Sequence, residues 1–308
     1  MLDATGSTLC PRWPPPLKPE TLKGLLLPVK ILCLGDIIGK PGRQVLADLL
    51  PGLIERERID LVIANAENAA GGSGLTPAIF QKLLACGVDV CTLGDHTYRK
   101  REIMPLLESS PQLIRPGNYP PPAVGKGCTV VKSRAGLEVA VLQVMGRLYM
   151  KPLDDPFYAV DRMLEALPAG VRLRIVDFHA EASSEKIAMG WHLDGRASVV
   201  FGTHTHTPTA DARVLPGGTA FVSDAGMTGP YDSILGRKKD RVLKHLLTGM
   251  PCFFEIATGD PRLCGVLASV DENSGRALSI VRCDRAGAAT AAAYDADDGK
   301  GGGAGGER

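Results

Sequence analysis

No stretch of this chain approaches the roughly 20 consecutive apolar residues that a membrane-crossing helix requires. Nor does it open with a basic segment leading into an apolar core, as a secretory signal would. An excess of one charge is missing as well: 35 Lys and Arg stand against 34 Asp and Glu, a net charge of +1. No broad field is therefore available to recruit nucleic acid or a membrane surface, although a local patch stays open. The 8 cysteines, at 10, 33, 86, 91, 128, 252, 264 and 283, form no CxxC pair and no regular spacing. Cys33, Cys91 and Cys264 fall inside apolar runs, so they read as small buried hydrophobes in a reducing compartment. Cytoplasm is the expected location. There is no internal repeat, and neither glycine-rich loop, 35–42 or 69–74, fits a P-loop.

What is present is an ordinary globular composition, 44% apolar and 22% charged over 308 residues. Residues 1–28 carry Cys-Pro-Arg-Trp-Pro-Pro-Pro without periodicity and read as a flexible extension. The stretch 286–308 is Ala/Gly/Asp-rich and reads as a disordered tail. Between them strands and helices alternate. Strands are expected at 29–34, 60–64, 88–93, 173–177 and 197–201, and helices at 42–58 (interrupted near Pro51), 78–86, 100–108 and 157–167. Thr76-Pro77 supplies an N-cap followed by proline at the first helical position. Ser183 is expected to cap a helix through Trp191. A hairpin at 128–132 and 137–144, short strands at 212–214 and 219–222, a basic helix at 237–246, and closing strands at 253–256, 263–271 and 277–282 complete the pattern. Strands separated by helices indicate βαβ units and a layered α/β sandwich.

The run Phe201-Gly-Thr-His-Thr-His-Thr-Pro-Thr-Ala-Asp211 follows an apolar strand. His204 and His206 stand two apart, and in an extended segment such residues face one way. A pair of like-facing imidazoles suits a metal; a polar loop with merely hydrogen-bonded histidines suits the same residues. Four other strand ends carry donors: Leu34-Gly-Asp36, Ala64-Asn-Ala-Glu67-Asn68, Leu93-Gly-Asp95-His96 and Asp177-Phe-His179. Each alone has a plain reading as a turn, a solvated loop or a helix start. In open α/β sheets, however, ligands bind at the carboxyl ends of strands, so all five can converge. Mixed carboxylate, amide and imidazole donors suit Mn, Fe or Zn.

These runs resemble the YmdB-like bacterial metallophosphoesterases. The likeness is carried by Ile31-Leu-Cys-Leu-Gly-Asp-Ile-Ile-Gly-Lys-Pro-Gly-Arg43 and Ala64-Asn-Ala-Glu-Asn-Ala-Ala-Gly-Gly-Ser-Gly-Leu-Thr76, by the Asp177 and Val200 runs, and by Thr219-Ala-Phe-Val-Ser-Asp-Ala-Gly-Met-Thr-Gly229. It covers roughly residues 29–285 in order. The resemblance implies a calcineurin-like αββα sandwich, two packed mixed sheets flanked by helices, with two divalent metal ions. It implies Asp36, Asn68 and His206 on one ion, Asp95, His179 and His204 on the other, Glu67 bridging, and His96 as the catalytic histidine. The activity implied is hydrolysis of cyclic nucleotides, 2′,3′-cyclic and also 3′,5′-cyclic, by a metal-bridging hydroxide with His96 as general acid.

In one respect the chain departs from the pattern. The family usually reads Gly-Asn-His-Thr where this chain has Gly94-Asp95-His96-Thr97. The extra carboxylate predicts tighter metal retention and weaker attraction for an anionic phosphodiester. Two other readings follow from the same residues: a phosphomonoesterase or nuclease using this centre, and a metal- or nucleotide-binding regulator weakened as a catalyst by Asp95. A small nucleotide phosphodiester is the expected partner, with no membrane; RNA is not indicated by charge, and a homo-oligomer rests on resemblance alone. Among the lesser residues, Asp177 reads either as an orienter of a ligand histidine or as a loop cap. Glu181 and Glu185 read as helix-start carboxylates. Met227, Thr228 and Tyr231 read as pocket lining or plain packing, and Arg237-Lys-Lys-Asp-Arg241 as a solvated helix face.

Overall fold

A computed structural model describes residues 28–287; the expectations for the N-terminal extension and for 288–308 lie outside the described residues. Two sheets pack face to face. In the first, β1 (Val29–Leu34) lies between β12 (Pro261–Val270) and β3 (Leu61–Asn65), and β4 (Val90–Thr92) pairs with β3. The short β2 (Asp36–Ile37) and β11 (Met227–Pro230) extend this sheet beyond β12, and β13 (Ala277–Ala286) also pairs with β12. The second sheet runs β5 (Cys128–Lys132), β6 (Glu138–Met145), β7 (Leu173–His179), β8 (Val199–Thr203), β10 (Ala220–Val222), β9 (Arg213–Val214).

The apolar run Ile31–Leu34 of β1 follows from burial on both faces. Ile31 and Cys33 point into the interlayer core with Val141, Ile175 and Phe201. Leu32 and Leu34 point the other way, onto Leu46, Leu50 and Leu53 of α1 (Gly39–Glu57) and Phe80 of α2 (Pro77–Ala85). On the outer face of the second sheet, Val160 of α4 (Pro156–Glu165) and Met189 of α5 (Ser183–His192) cover Val176 and Val200. The layers are thus α, β, β, α, as expected for a calcineurin-like sandwich. α3 (Met104–Ser109) continues a 3-10 turn, and α6 (Lys239–Thr248) buries none of its residues.

Several local expectations need correction. α1 begins at Gly39 rather than Gly42 and runs through Pro51. Pro41 is tolerated because first-turn N–H groups lack intrahelical partners anyway. Ser183 is the first residue of α5, not its cap; the N-cap is Ala182, with no side-chain bond. The stretch 253–256 forms no strand, only a single bridge between Ile256 and Arg237. Met227 and Thr228 are buried in β11, with the Tyr231 hydroxyl donating to the Met227 carbonyl at 3.1 Å, which favours packing over pocket lining. The Thr76 cap holds: its hydroxyl accepts from Ile79 N at 3.3 Å.

β1, β3 and β4 are parallel, as are β6, β7, β8 and β10. All five donor-bearing junctions consequently emerge at carboxyl ends of parallel strands, three from the first sheet and two from the second.

Candidate metal centre

The centre grows out of those strand ends. Just past β1, Asp36 is fully buried; its Oδ2 accepts from His204 N at 3.0 Å, while Oδ1 has no hydrogen-bond partner. Burial alone would raise this carboxyl, but His206 and His179 outweigh it and hold Asp36 well below the usual carboxylate range. After β3, Asn65 pins the next turn: its Nδ2 donates to Leu93 O at 2.8 Å and its Oδ1 accepts from Glu67 N at 3.1 Å. Glu67, 1% exposed, sits between two groups of donors. Its Oε1 lies 3.3 Å from Asn68 Nδ2 on one side and 3.1 Å from His179 Nε2 on the other.

Beyond β4 the chain passes so close to these side chains that only glycine fits. A β-carbon on Gly94 would come within 2.3 Å of Glu67 Oε2 and 2.4 Å of His179 Nε2. Asp95 Oδ1 is 3.4 Å from His179 Nε2 and 3.7 Å from His204 Nδ1. Burial works against the charge on Asp95, yet His179, His96 and His204 together hold it far below its ordinary range. His96 lies beside the group. Its backbone N–H donates to Glu67 Oε2 at 2.9 Å, its Nδ1 is 2.9 Å from Asn68 Oδ1, and its Nε2 is 3.5 Å from Asp95 Oδ2.

From the second sheet comes a relay of hydrogen bonds. His179 Nδ1 is 2.9 Å from Thr203 Oγ1, which donates to Asp177 Oδ1 at 2.7 Å; Thr92 and Gln143 donate to Asp177 Oδ2 at 2.5 and 3.1 Å. Burial pushes the Asp177 carboxyl up to about 6. Asp177 therefore acts through Thr203, which takes the Nδ1–H of His179 and turns Nε2 toward Glu67, Asp95 and His204. Burial would lower the His179 imidazole, but Glu67 and Asp95 raise it well above its ordinary value. That is the field a cation would exploit.

The His204–His206 geometry differs from the expectation. β8 ends at Thr203, and both histidines take left-handed backbone, φ 95° and 60°, a conformation uncommon for residues with a β-carbon and frequent at functional sites. They do not face one way. His204 Nδ1 points at His179 Nε2, 3.1 Å away, whereas His206 Nε2 approaches Asn68 Nδ2 at 3.3 Å and Asp36 Oδ1 at 3.6 Å. His206 Nδ1 donates to Leu235 O at 3.3 Å, which leaves Nε2 as its free nitrogen. Burial, then the His179 charge, brings His204 down to about 3.

All eight expected residues are thus brought together: Asp36, Asn68 and His206 on one side, Asp95, His179 and His204 on the other, Glu67 between and His96 flanking. Ligand atoms of Glu67, Asp95, His179 and His204 all lie within 4.8 Å of one another. The donor set fits divalent metal. A buried carboxylate oxygen, Asp36 Oδ1, has no hydrogen bond and only His206 Nε2 at 3.6 Å beside it, and two imidazole nitrogens 3.1 Å apart can share only one proton unless a cation takes both lone pairs.

Further parts of the centre escaped sequence reasoning. Glu181 Oε2 lies 3.1 Å from His204 Nε2, so it orients a ring rather than serving the helix start. Glu185 does lie in the first turn of α5, as expected, and is also buried, accepting from the N–H groups of Arg147 and Leu148. Lys186 and Asp224 form a buried pair at 2.7 Å, and Asp224 also accepts from the Thr205 hydroxyl at 2.5 Å, bracing the histidine loop. Arg237, expected on a solvated helix face, precedes α6 and donates to Gly72 O at 2.7 Å. The signal available for Asp224 was its place in the Ser-Asp-Ala-Gly run; nothing in the sequence marked Glu181.

Comparison with known proteins agrees with this geometry. Residues 32–283 match the family model described as YmdB-like protein. The chain is 44% identical over 254 residues to a 2′,3′-cyclic-nucleotide 2′-phosphodiesterase of Bacillus subtilis, covering 82% of this chain and 96% of that protein. Among solved structures it is similar to a hypothetical protein from Thermus thermophilus, with TM-score 0.79, 44% identity, and coverage of 84% of this chain and 99% of that one. It is also similar to a novel phosphatase from Mycoplasma pneumoniae, with TM-score 0.80, 30% identity, and coverage of 85% and 95%. With the match running through every strand that feeds the centre, this chain belongs to the YmdB-like protein family.

Proposed function

We propose that the protein is a metal-dependent phosphodiesterase of cyclic nucleotides, acting at a centre of two divalent ions, with 2′,3′-cyclic phosphates as the primary substrates and 3′,5′-cyclic phosphates as further ones. The observation that carries the reading is Glu67 Oε1, placed 3.3 Å from Asn68 Nδ2 and 3.1 Å from His179 Nε2, in position to join two donor sets. Asp36, Asn68 and His206 would hold one ion, Asp95, His179 and His204 the other, and Glu67 both. When bound, such ions neutralise phosphate charge and make water nucleophilic near neutral pH. Fe and Mn suit these donors best, with Zn next. The activity of the Bacillus subtilis relative supports the substrate class.

The chain's own residues supply orientation and a proton. Thr203 and Asp177 hold the His179 ring, Leu235 O holds that of His206, and Glu181 that of His204. The His96 Nδ1–H donates to Asn68 Oδ1, whose second lone pair stays available to a ligand. In its doubly protonated form the ring would carry a second proton on Nε2, 3.5 Å from Asp95 Oδ2, and would pass that proton to the departing ribose oxygen, ending as the neutral Nδ1–H tautomer. With its side chain 24% exposed, His96 is reachable by substrate.

A panel of 2′,3′- and 3′,5′-cyclic nucleotides, phosphomonoesters and short RNAs, with bis(p-nitrophenyl) phosphate and added Mn²⁺, tests this. Preferential turnover of 2′,3′-cyclic nucleotides is expected. Preference for monoesters or RNA would give the centre to a phosphomonoesterase or nuclease, and bound metal without turnover would make the protein a regulator.

The cysteines support a cytoplasmic setting, since all seven described ones are free and Cys33, Cys91, Cys264 and Cys283 are buried. Among the described residues no helix is long and apolar enough to cross a membrane. A homo-oligomer is supported by α6, where Leu243, Leu246 and Leu247 are 47, 70 and 82% exposed. Light scattering that gives one monomer mass at every concentration would rule it out.

A further inference from the structure

At the opposite end of the second sheet from the metal centre, a cleft of about 130 Å³ is lined by four arginines, Arg172, Arg174, Arg196 and Arg276. That volume equals the space of about four waters at about 30 Å³ each. The arginines come from three separate segments: the entry to β7, the turn after α5, and the β12–β13 connection. Seven residues of β7, at about 3.3 Å each, separate this cleft from His179 by roughly 20 Å.

The charges in the cleft are poorly compensated. Arg196 pairs with Asp161 at 2.7 Å. The other three have, among the described residues, only backbone carbonyls as partners. Arg174 donates to Val171 O and Arg196 O at 3.0 and 3.4 Å, Arg276 to Pro216 O at 3.4 Å, and Arg172 to Asn273 O. Two further carboxylates stand beside lining residues and are engaged by other donors: Asp194 accepts from Gly217 N at 2.7 Å and Thr219 N at 3.4 Å, and Asp271 Oδ1 from Ser274 N and Oγ, both at 2.7 Å. Carbonyl partners fix where each guanidinium points without cancelling its charge, and guanidinium stays charged at every physiological pH. The floor is cut to fit: a β-carbon on Gly218 would come within 2.8 Å of Arg276 Nε.

We propose that this cleft is a second, metal-independent anion site that takes a phosphate group. Several convergent, uncompensated guanidiniums match the planar bidentate recognition of phosphate oxygens. The volume admits a phosphate or diphosphate moiety. The group could be carried by a small phosphorylated compound or by the backbone of a nucleic-acid strand running over the cleft, and the two sources are separable.

The test is calorimetric titration of the metal-loaded full chain with pyrophosphate and, separately, with a ten-nucleotide RNA, comparing wild type with R174Q/R276Q. Loss of one class of pyrophosphate sites, with affinity falling at least about tenfold and salt-sensitively, supports the site. Loss confined to the RNA supports it too and names nucleic-acid backbone as the source. Turnover of bis(p-nitrophenyl) phosphate should be unchanged in the variant, which keeps this test independent of the proposed hydrolase activity. R276Q alone, which gives up a single long carbonyl bond, serves if the double variant melts early. Identical isotherms in wild type and variant for both probes would overturn the proposal.

Discussion

Gly94 is the residue with least room to change. Alanine there would drive a methyl into Glu67 Oε2 and His179 Nε2, both positions the centre depends on. Displacement by about 1 Å of groups that position a reaction can cost about 100-fold in rate. G94A is expected to lose about that much turnover and part of its bound metal while keeping its circular dichroism, and metal analysis beside kinetics checks both. Asp95 poses the opposite question, because the resemblance read from the sequence implies an amide where this chain carries a charge. D95N removes one of three carboxylates facing His179 and His204. It should release metal to a chelator faster and raise kcat/KM for an anionic diester by roughly 3- to 10-fold, an effect of about 1 kcal/mol. Equal chelation rates and equal kcat/KM would show that Asp95 behaves as the amide does.

Between β8 and β10, the loop carrying His204 and His206 spends left-handed backbone on two non-glycine residues and must be held from outside. Lys186 and Asp224 do much of this, with both side chains at most 3% exposed. Removing one partner of a buried pair typically costs about 3–5 kcal/mol, because the other charge is left uncompensated. K186M should fall in urea stability by that amount, and K186M/D224N should recover part of it. Asp211, at the far end of the loop, accepts from Thr209 Oγ1 at 2.7 Å and Ser223 N at 3.1 Å. Burial would raise this carboxyl, but those hydrogen bonds lower it below its ordinary value. A depressed folded pKa stabilises above the unfolded value of about 3.9 and is lost as pH falls through the folded one. The wild-type melting temperature should therefore drop more steeply than that of D211N below about pH 4. This loop also shows where reading the sequence stops. That this loop joins the other four donor-bearing strand ends was legible from the sequence. That its two histidines face different donors followed from the family resemblance and not from their spacing, which put both rings on one side. Spacing misses the positive φ at His204 and His206, in a loop braced by Asp36, Asp224 and Leu235, none of them a local neighbour.

Across the whole molecule, legibility followed burial. Ile31–Leu34 is covered on both faces, and this apolar run with Val29 before it located β1. The run Phe253-Phe-Glu-Ile256 has strand-like composition, yet Phe253 is 83% exposed and only Ile256 finds a bridge partner. Composition there signalled a pairing that tertiary context does not offer. The arginine cleft was invisible in the chain because Arg172, Arg196 and Arg276 meet only once three distant connections are brought to one sheet end.

The donor set is divided between the layers. Asp36, Glu67, Asn68 and Asp95 ride on the first sheet, while His179, His204 and His206 ride on the second. A cation held by both groups would work as a clasp across the seam of the sandwich, resisting any sliding or splaying of one layer over the other. Its binding energy would then appear as mechanical and thermal cohesion of the entire domain, following the ligand-linkage relation. Chelation should accelerate amide exchange throughout β1, β3, β7 and β8 together, not only in the loops that touch the ion.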